Sequence, residues 1–136
     1  MHIALYSAFF SEETLQYVKA TITFLESHGH RIILVQRLKK HLGEQGNNYS
    51  YFDEELKLDP KVDFLFSIGG DGTILRAVTL IQDSKIPILG INTGRLGFLT
   101  SLHRDALNQG LDLFFSGKFT YISRSLLQVK TRETTP

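Results

Sequence analysis

The sequence of 136 residues has no cysteine and no tryptophan, and its charges nearly cancel, with a formal net charge of +1. Without cysteine, disulfides and thiolate zinc sites are excluded. A net charge this small provides no field for attracting nucleic acid or an acidic membrane, so we expect neither as a partner. No apolar run reaches membrane-spanning length and the first residues lack a signal-peptide pattern, which together predict a cytoplasmic protein.

What the sequence does contain is the composition of a soluble globular protein, with 42% hydrophobic and 21% charged residues. Its length suits one domain of ordinary size. The five histidines are scattered without the spacing of metal ligands, so no residue is assigned to a metal. The function must therefore be sought in local motifs.

The chain is organised around residues 62–81. They begin with VDFLFSI, a nearly unbroken apolar run that predicts a strand buried on both faces. They end with ILRAVTLI, whose apolar residues at helical spacing predict a helix. Between the two, GGDGT places Gly69, Gly70 and Gly72 around Asp71. A strand, a glycine-rich turn and a helix present backbone N–H groups to an anion, most often a phosphate.

Asp71 is the unexpected residue of this turn, because a carboxylate repels the phosphates that such a turn would bind. Two functional interpretations account for it. Asp71 takes a proton from a hydroxyl that attacks a phosphorus, or it helps to hold Mg²⁺ between phosphates. The structural alternative is that Asp-Gly is a common turn pair and Asp a common helix N-cap. The spacing alone leaves all three open.

The order of the predicted elements indicates an α/β fold with a doubly wound, mostly parallel sheet flanked by helices. Residues 36–61 have no sustained period, which predicts a long surface loop with one short helical stretch and mobility around 46–48. Besides the strand and helix of residues 62–81, strands are predicted over 2–6, 31–35 and 86–92, and helices over 11–29 and 103–117.

A second polar loop, NTGRLGFLT, follows the strand predicted over 86–92. Because the carboxyl ends of neighbouring parallel strands lie at the same edge of a sheet, we expect this loop and GGDGT to converge on one site. Asn92 and Thr93 offer short hydrogen-bonding groups beside Gly94. Arg76, one helical turn beyond the first loop, either faces the same cleft or is an ordinary exposed arginine.

Two apolar residues of the second loop have alternative interpretations. Phe98 offers a ring face on which a purine could stack, or it closes the end of the core. For the neighbouring Leu99 the structural role is favoured.

With both loops considered, the sequence resembles the NAD kinase family. SIGGDGTILRA at 67–77 and GINTGRLGFLTS at 90–101 are similar to that family's two N-terminal signatures. The resemblance implies a Rossmann-like N-terminal domain of a two-domain kinase. It also implies ATP-dependent phosphorylation of the 2′-hydroxyl of the adenosine ribose of NAD, which gives NADP.

The resemblance also assigns roles to single residues. Asp71 is implied to be the catalytic proton acceptor, and Phe98 is similar to the residue that packs on adenine. Mg²⁺ on the ATP phosphates is implied as the cofactor, and assembly into a dimer or tetramer is implied for the intact protein. The residues expected to bind substrate or cofactor are Gly69, Gly70, Gly72, Thr73, Arg76, Asn92, Thr93, Gly94, Phe98 and Leu99.

The last residues bear on domain organisation. We assign residues 1–120 to the α/β nucleotide-binding domain and residues 121–136 to the start of a strand that leads into a second domain. In the family that domain is all-β and rich in glycine, and an Asn-Glu or Asn-Asp pair binds the ribose of NAD; neither is found in this chain. We therefore expect the chain to be the N-terminal part of a longer kinase and to be inactive, or nearly so, alone.

Two other functions remain open at this point. GGDG alone is shared with kinases that act on a lipid or a sugar phosphate, and a non-catalytic nucleotide-binding module would need no chemistry from Asp71. The sequence also leaves open whether ATP or polyphosphate is the donor, whether NADH is accepted, what regulates the enzyme, and whether residues 1–136 bind ligand alone.

Overall fold

The computed structural model describes residues 1–56, 58–82, 84–93, 102–103 and 106–118. Three α-helices are interspersed among six strands along these residues, and two 3₁₀ helices, Gln36–His41 and Gly43–Asn48, precede the third strand. The elements are β1 (His2–Tyr6), α1 (Glu12–Ser27), β2 (Arg31–Val35), β3 (Ser50–Phe52), β4 (Phe64–Gly69), α2 (Asp71–Ile81), β5 (Ile88–Asn92), β6 (Leu102–His103) and α3 (Leu107–Phe115). No helix in these ranges is long and apolar enough to cross a membrane.

The strands form one six-stranded sheet in the order β3-β2-β1-β4-β5-β6, and every neighbouring pair is parallel. From β1 the chain first builds towards β3, and it then returns to the other side of β1 and builds towards β6. Right-handed crossovers in the two directions place α1 and α2 on opposite faces, which confirms the doubly wound fold. The direction reverses between β1 and β4, where open α/β sheets bind their ligands.

The central strand β4 is buried over all but its last residue, as the apolar run predicts. Phe114 of α3 meets the rings of Phe64 and Phe66 edge-on, with centroid separations of 4.8 and 5.6 Å. Edge-to-face contact is a favoured arrangement of aromatic rings. Each fully buried aromatic side chain contributes roughly 1.5–3 kcal/mol of transfer free energy. This packing fixes α3 on the sheet and makes β4 a rigid base for the turn that follows it.

The first helix begins and ends where the sequence predicts. The Oγ of Ser11 accepts a hydrogen bond from the backbone N–H of Thr14 at 3.1 Å, which satisfies one of the unpaired donors of the first turn. At the other end Gly29 has a φ of 75°, a conformation that favours glycine and terminates the helix.

The prediction of a long loop over residues 36–61 is wrong in part, because these residues contain two 3₁₀ helices and the strand β3. The Tyr51 hydroxyl of β3 donates a 2.6 Å hydrogen bond to the carbonyl of Gly46. Gly46 is itself buried, and a Cβ there would lie 3.1 Å from the carbonyl oxygen of Lys39. The segment is ordered by the pairing of β3 with β2 and by this close packing around Gly46. Neither contact produces a periodic pattern in the sequence. The predicted mobility around 46–48 stays a prediction.

The predicted start of the last helix at residue 103 is also wrong. Leu102 and His103 form β6, which pairs with Ile91 and Asn92 of β5, and α3 begins at Leu107. A strand of two residues is too short to show an alternating pattern, so its formation depends on pairing with the neighbouring strand. The buried side chains of α3 are Leu107, Leu111 and Phe114, which lie at helical spacing. The extended segment predicted over 119–131, and with it the boundary near residue 120, lies outside the described residues.

Candidate functional site

The two predicted loops meet where β4 and β5 end. Gly69 is opposite Asn92 in the parallel register, and the backbone N–H of Thr93 donates a 3.1 Å hydrogen bond to the carbonyl of Gly69. Asn92 and Thr93 are both buried, at 1% and 8% exposure. The first residues of both motifs are therefore joined at the carboxyl edge of the sheet, as the strand order predicts.

The three glycines of GGDGT have different structural reasons to be glycine. Gly69 has a φ of 153°, and a Cβ on it would lie 2.4 Å from the Oγ1 of Thr73. Gly69 is thus required by the backbone and by the buried Thr73 beneath it. A Cβ on Gly70 or Gly72 would meet no atom of the described residues within 4 Å. Among those residues, no side chain hinders the approach of a phosphate to these two positions.

Asp71 is the first residue of α2. The N-cap residue is Gly70, which has no side chain that could cap the helix. The carbonyl of Gly70 instead accepts from the backbone N–H groups of Thr73 and Ile74, at 3.1 and 3.3 Å. In this position the carboxylate of Asp71 lies at the positive end of the helix dipole, which stabilises a negative charge. The N-cap residue of α2 is therefore Gly70 and not Asp71.

A third segment, which carries no recognisable sequence motif, also reaches the site. Residues 7–10 follow β1, the strand beside β4, and carry Phe9 towards α2. The guanidinium carbon of Arg76 lies 5.4 Å from the centre of the Phe9 ring, within the range of a cation–π interaction. The loop after β1 and the helix after β4 are thus in contact through one aromatic and one basic side chain.

Arg37 anchors this β1 loop. Its guanidinium donates to the carbonyl oxygens of Ser7 and Ala8, at 3.0 and 3.2 Å. The same group forms a two-point ion pair with Glu54, in which Nη2 donates to Oε2 at 2.8 Å and Nε donates to Oε1. Two-point pairing is the strongest geometry available to arginine and carboxylate. Residues beyond β2 and beyond β3 therefore hold the loop beside the glycine turn.

This network shifts the titration of its members. The hydrogen bond and charge of Arg37 lower the pKa of Glu54, with a smaller contribution from the charge of Arg76. Burial, followed by the charge of Glu54, raises the pKa of Tyr6 at the end of β1. At neutral pH this network therefore carries an ionised Glu54 and a neutral Tyr6, with Arg37 and Arg76 as its cations.

Comparison with known proteins decides which family this architecture belongs to. Residues 8–119 match the family described as the ATP-NAD kinase N-terminal domain. The chain belongs to the NAD kinase family. The NAD kinase of Flavobacterium psychrophilum is 36% identical over 133 residues, which are 96% of this chain and 45% of that protein. The NAD kinase of Methanothermobacter thermautotrophicus is 32% identical over 136 residues, which are 100% of this chain and 46% of that protein.

A solved structure supports the fold independently. The crystal structure of yeast NADH kinase complexed with NADH superposes with a TM-score of 0.66 over 87% of this chain and 38% of that chain. Its sequence identity is 16%, so this likeness concerns the fold alone. The chain spans about half the length of the curated NAD kinases that it matches.

The NAD kinase motifs continue beyond the described part of the second loop. Gly94, Phe98 and Leu99 lie outside the described residues, and their expected contacts stay predictions. Within the described ranges, no three His, Cys, Asp or Glu side chains are grouped as a metal site. Mg²⁺ keeps several of its waters and binds nucleotide phosphates with few protein ligands, so a site without such a group of side chains fits this ion.

Proposed function

We propose that the complete polypeptide to which these residues belong is an NAD kinase, which transfers the γ-phosphoryl group of ATP to the 2′-hydroxyl of the adenosine ribose of NAD. One observation carries the proposal. Asp71 lies at the positive end of α2 between two glycines at which a Cβ would meet no atom of the described residues within 4 Å. An acidic group inside a phosphate site is needed where a hydroxyl must lose a proton as it attacks phosphorus.

In this reaction the 2′-oxygen forms a bond to the γ-phosphorus while the bond between that phosphorus and the β,γ-bridging oxygen breaks, which releases ADP. Asp71 accepts the hydroxyl proton. The backbone N–H groups at the start of α2 and the positive end of its dipole favour the anionic phosphates. The acceptor is proposed to bind on the β5 side of the turn, where Asn92 and Thr93 lie. Mg²⁺ on the triphosphate supplies neutralisation of its charge.

The proposal extends to the rest of the protein. We assign residues 1–120 to the nucleotide-binding domain and residues 121–136 to the strand that leads into a second, all-β domain. That domain supplies the remaining contacts to NAD, so residues 1–136 alone are inactive or nearly so. We further propose that the intact enzyme is a cytoplasmic homo-oligomer whose ligands are NAD and ATP, with no nucleic acid or membrane partner.

The test is ATP- and Mg²⁺-dependent formation of NADP⁺ from NAD⁺, measured with an NADP-specific dehydrogenase. The complete polypeptide is expected to form NADP⁺, and residues 1–136 alone are expected to form little or none. Parallel incubations with diacylglycerol and with a sugar phosphate examine the two other acceptor classes that a GGDG turn serves. A well-folded complete polypeptide that phosphorylates either of these and not NAD would contradict the proposal.

A further inference from the structure

We propose that Phe9 stacks on the base of the phosphoryl donor and that Arg76, which lies over the same ring, pairs with the donor's phosphates. Phe9 would thus be a donor-binding residue on the β1 side of the glycine turn, where no role was expected from the sequence. The inference rests on the proposed kinase function, because only a phosphoryl-transfer reaction has a donor nucleotide that is distinct from the acceptor.

The first supporting observation is that Phe9 is exposed although its backbone is fixed. The side chain is 68% exposed, while the Ser7 hydroxyl donates to the Phe9 carbonyl at 2.9 Å. Arg37 holds the two preceding carbonyls. The next residue, Phe10, turns inwards, with the Arg37 guanidinium 5.3 Å from its ring centre. The loop is therefore anchored on both sides of a ring that it presents to solvent.

The second observation is the position of Arg76. Its guanidinium covers the Phe9 ring at 5.4 Å and belongs to the second turn of α2, whose first turn carries Asp71. Arginine combines stacking on an aromatic ring with hydrogen bonds to phosphate oxygens. An exposed aromatic face beside a cation is the arrangement that binds a nucleotide base together with its phosphates.

The strand order, taken with the proposed position of the acceptor, indicates that this nucleotide is the donor. In phosphoryl transfer the attacking and leaving oxygens are roughly in line through the phosphorus, so the acceptor and the leaving ADP lie on opposite sides of it. Asp71 follows β4, which lies between β1 and β5. The acceptor is proposed to lie on the β5 side, beside Asn92 and Thr93. The departing nucleotide therefore occupies the β1 side, where Phe9 is.

The test compares Phe9→Ala and Phe9→Tyr with the wild type in the complete polypeptide. Loss of one base–aromatic stack weakens binding by about 5- to 150-fold. Phe9→Ala is therefore expected to raise the KM and the Kd for ATP by about tenfold, with the KM for NAD changed by less than about twofold. Phe9→Tyr keeps the ring and is expected to restore ATP binding. Leu113→Ala, which truncates an apolar side chain of similar exposure on α3, is the matched control.

Calorimetric binding of inorganic tripolyphosphate separates the base from the phosphates. This probe has no base, so Phe9→Ala is expected to leave its Kd unchanged while the Kd of ATP rises. Equal weakening of both probes, an increase confined to the KM of NAD, or unchanged ATP binding would each overturn the inference. If the wild type forms no NADP⁺ the kinase proposal fails, but a selective loss of ATP over tripolyphosphate would still support a base-binding Phe9.

Discussion

The variants Gly69→Ala and Gly72→Ala distinguish two reasons for a glycine. The fold requires glycine at position 69, whereas ligand binding is proposed to require it at position 72. At position 69 a Cβ would lie 2.4 Å from Thr73 Oγ1 and 3.0 Å from Thr73 Cβ, with a φ of 153°. Such a backbone conformation costs a non-glycine residue about 1–3 kcal/mol. Overpacking against a buried neighbour costs about 1–3 kcal/mol more. The free energy of unfolding is therefore expected to fall by about 2–6 kcal/mol.

Gly72→Ala is expected to change stability in the opposite direction. Gly72 is exposed within α2, and a Cβ there would meet no atom within 4 Å in the part of the chain that the structure describes. Alanine in a helix is more stable than glycine by about 0.5–1 kcal/mol. The added methyl group occupies the open space proposed for phosphate, so loss of one hydrogen bond to the ligand would weaken tripolyphosphate binding by about tenfold.

Urea unfolding of the complete polypeptide, followed by far-UV circular dichroism, measures the stability of both variants. Calorimetry measures their binding of tripolyphosphate. The reasoning is refuted if Gly69→Ala unfolds within about 0.5 kcal/mol of the wild type, which is the range of neutral surface substitutions. It is equally refuted if Gly72→Ala is the less stable variant or binds tripolyphosphate as the wild type does.

Three further predictions concern the elements that support the site. Ser11→Ala removes the N-cap of α1 and should lower the free energy of unfolding by about 1 kcal/mol, measured by urea unfolding, whereas Ser11→Asp should retain most of it. Arg37 lowers the folded pKa of Glu54 below its unfolded value, so the ion pair stabilises the fold above the unfolded pKa of about 4.3 and this contribution is lost as the pH falls through the folded pKa. Glu54→Gln should therefore lower stability at pH 7 by about 1 kcal/mol and by less at pH 3; the same loss at both pH values would contradict the assignment. The buried hydroxyl of Ser67 has no hydrogen-bond partner in the described part of the chain, so Ser67→Ala should raise the melting temperature, and a lower one would show that the hydroxyl is bonded.

Much of the fold follows from local patterns. The apolar run of β4, the stripe and caps of α1, and the helical spacing of α2 each determine their own element. The meeting of Gly69 and Thr93 could also be predicted, because parallel neighbours end at one edge of the sheet. In contrast, β3 and β6 are short strands whose existence depends on β2 and β5, so no pattern within them marks them.

The β1 loop shows why part of the site is not readable from the sequence. Ser-Ala-Phe-Phe has no motif, and its two phenylalanines are chemically identical. Only tertiary contacts distinguish them: Phe10 turns towards Arg37, and Phe9 meets Arg76, a residue distant in the chain. The signal that was available is positional, since the loop after β1 lies at the reversal of strand order where ligands bind.

The most direct test of the kinase proposal is the rate of NADP⁺ formation by Asp71→Asn in the complete polypeptide. Asp112→Asn, which removes the charge of an exposed acidic side chain on α3, is the control. If Asp71 accepts the proton of the attacking hydroxyl, kcat should fall by about 10²- to 10⁴-fold while the Kd of ATP stays the same or decreases, because the amide no longer repels phosphate. Asp112→Asn should keep the wild-type rate. A kcat for Asp71→Asn within about twofold of the wild type would contradict the assignment of the base, since general base catalysis contributes far more than that.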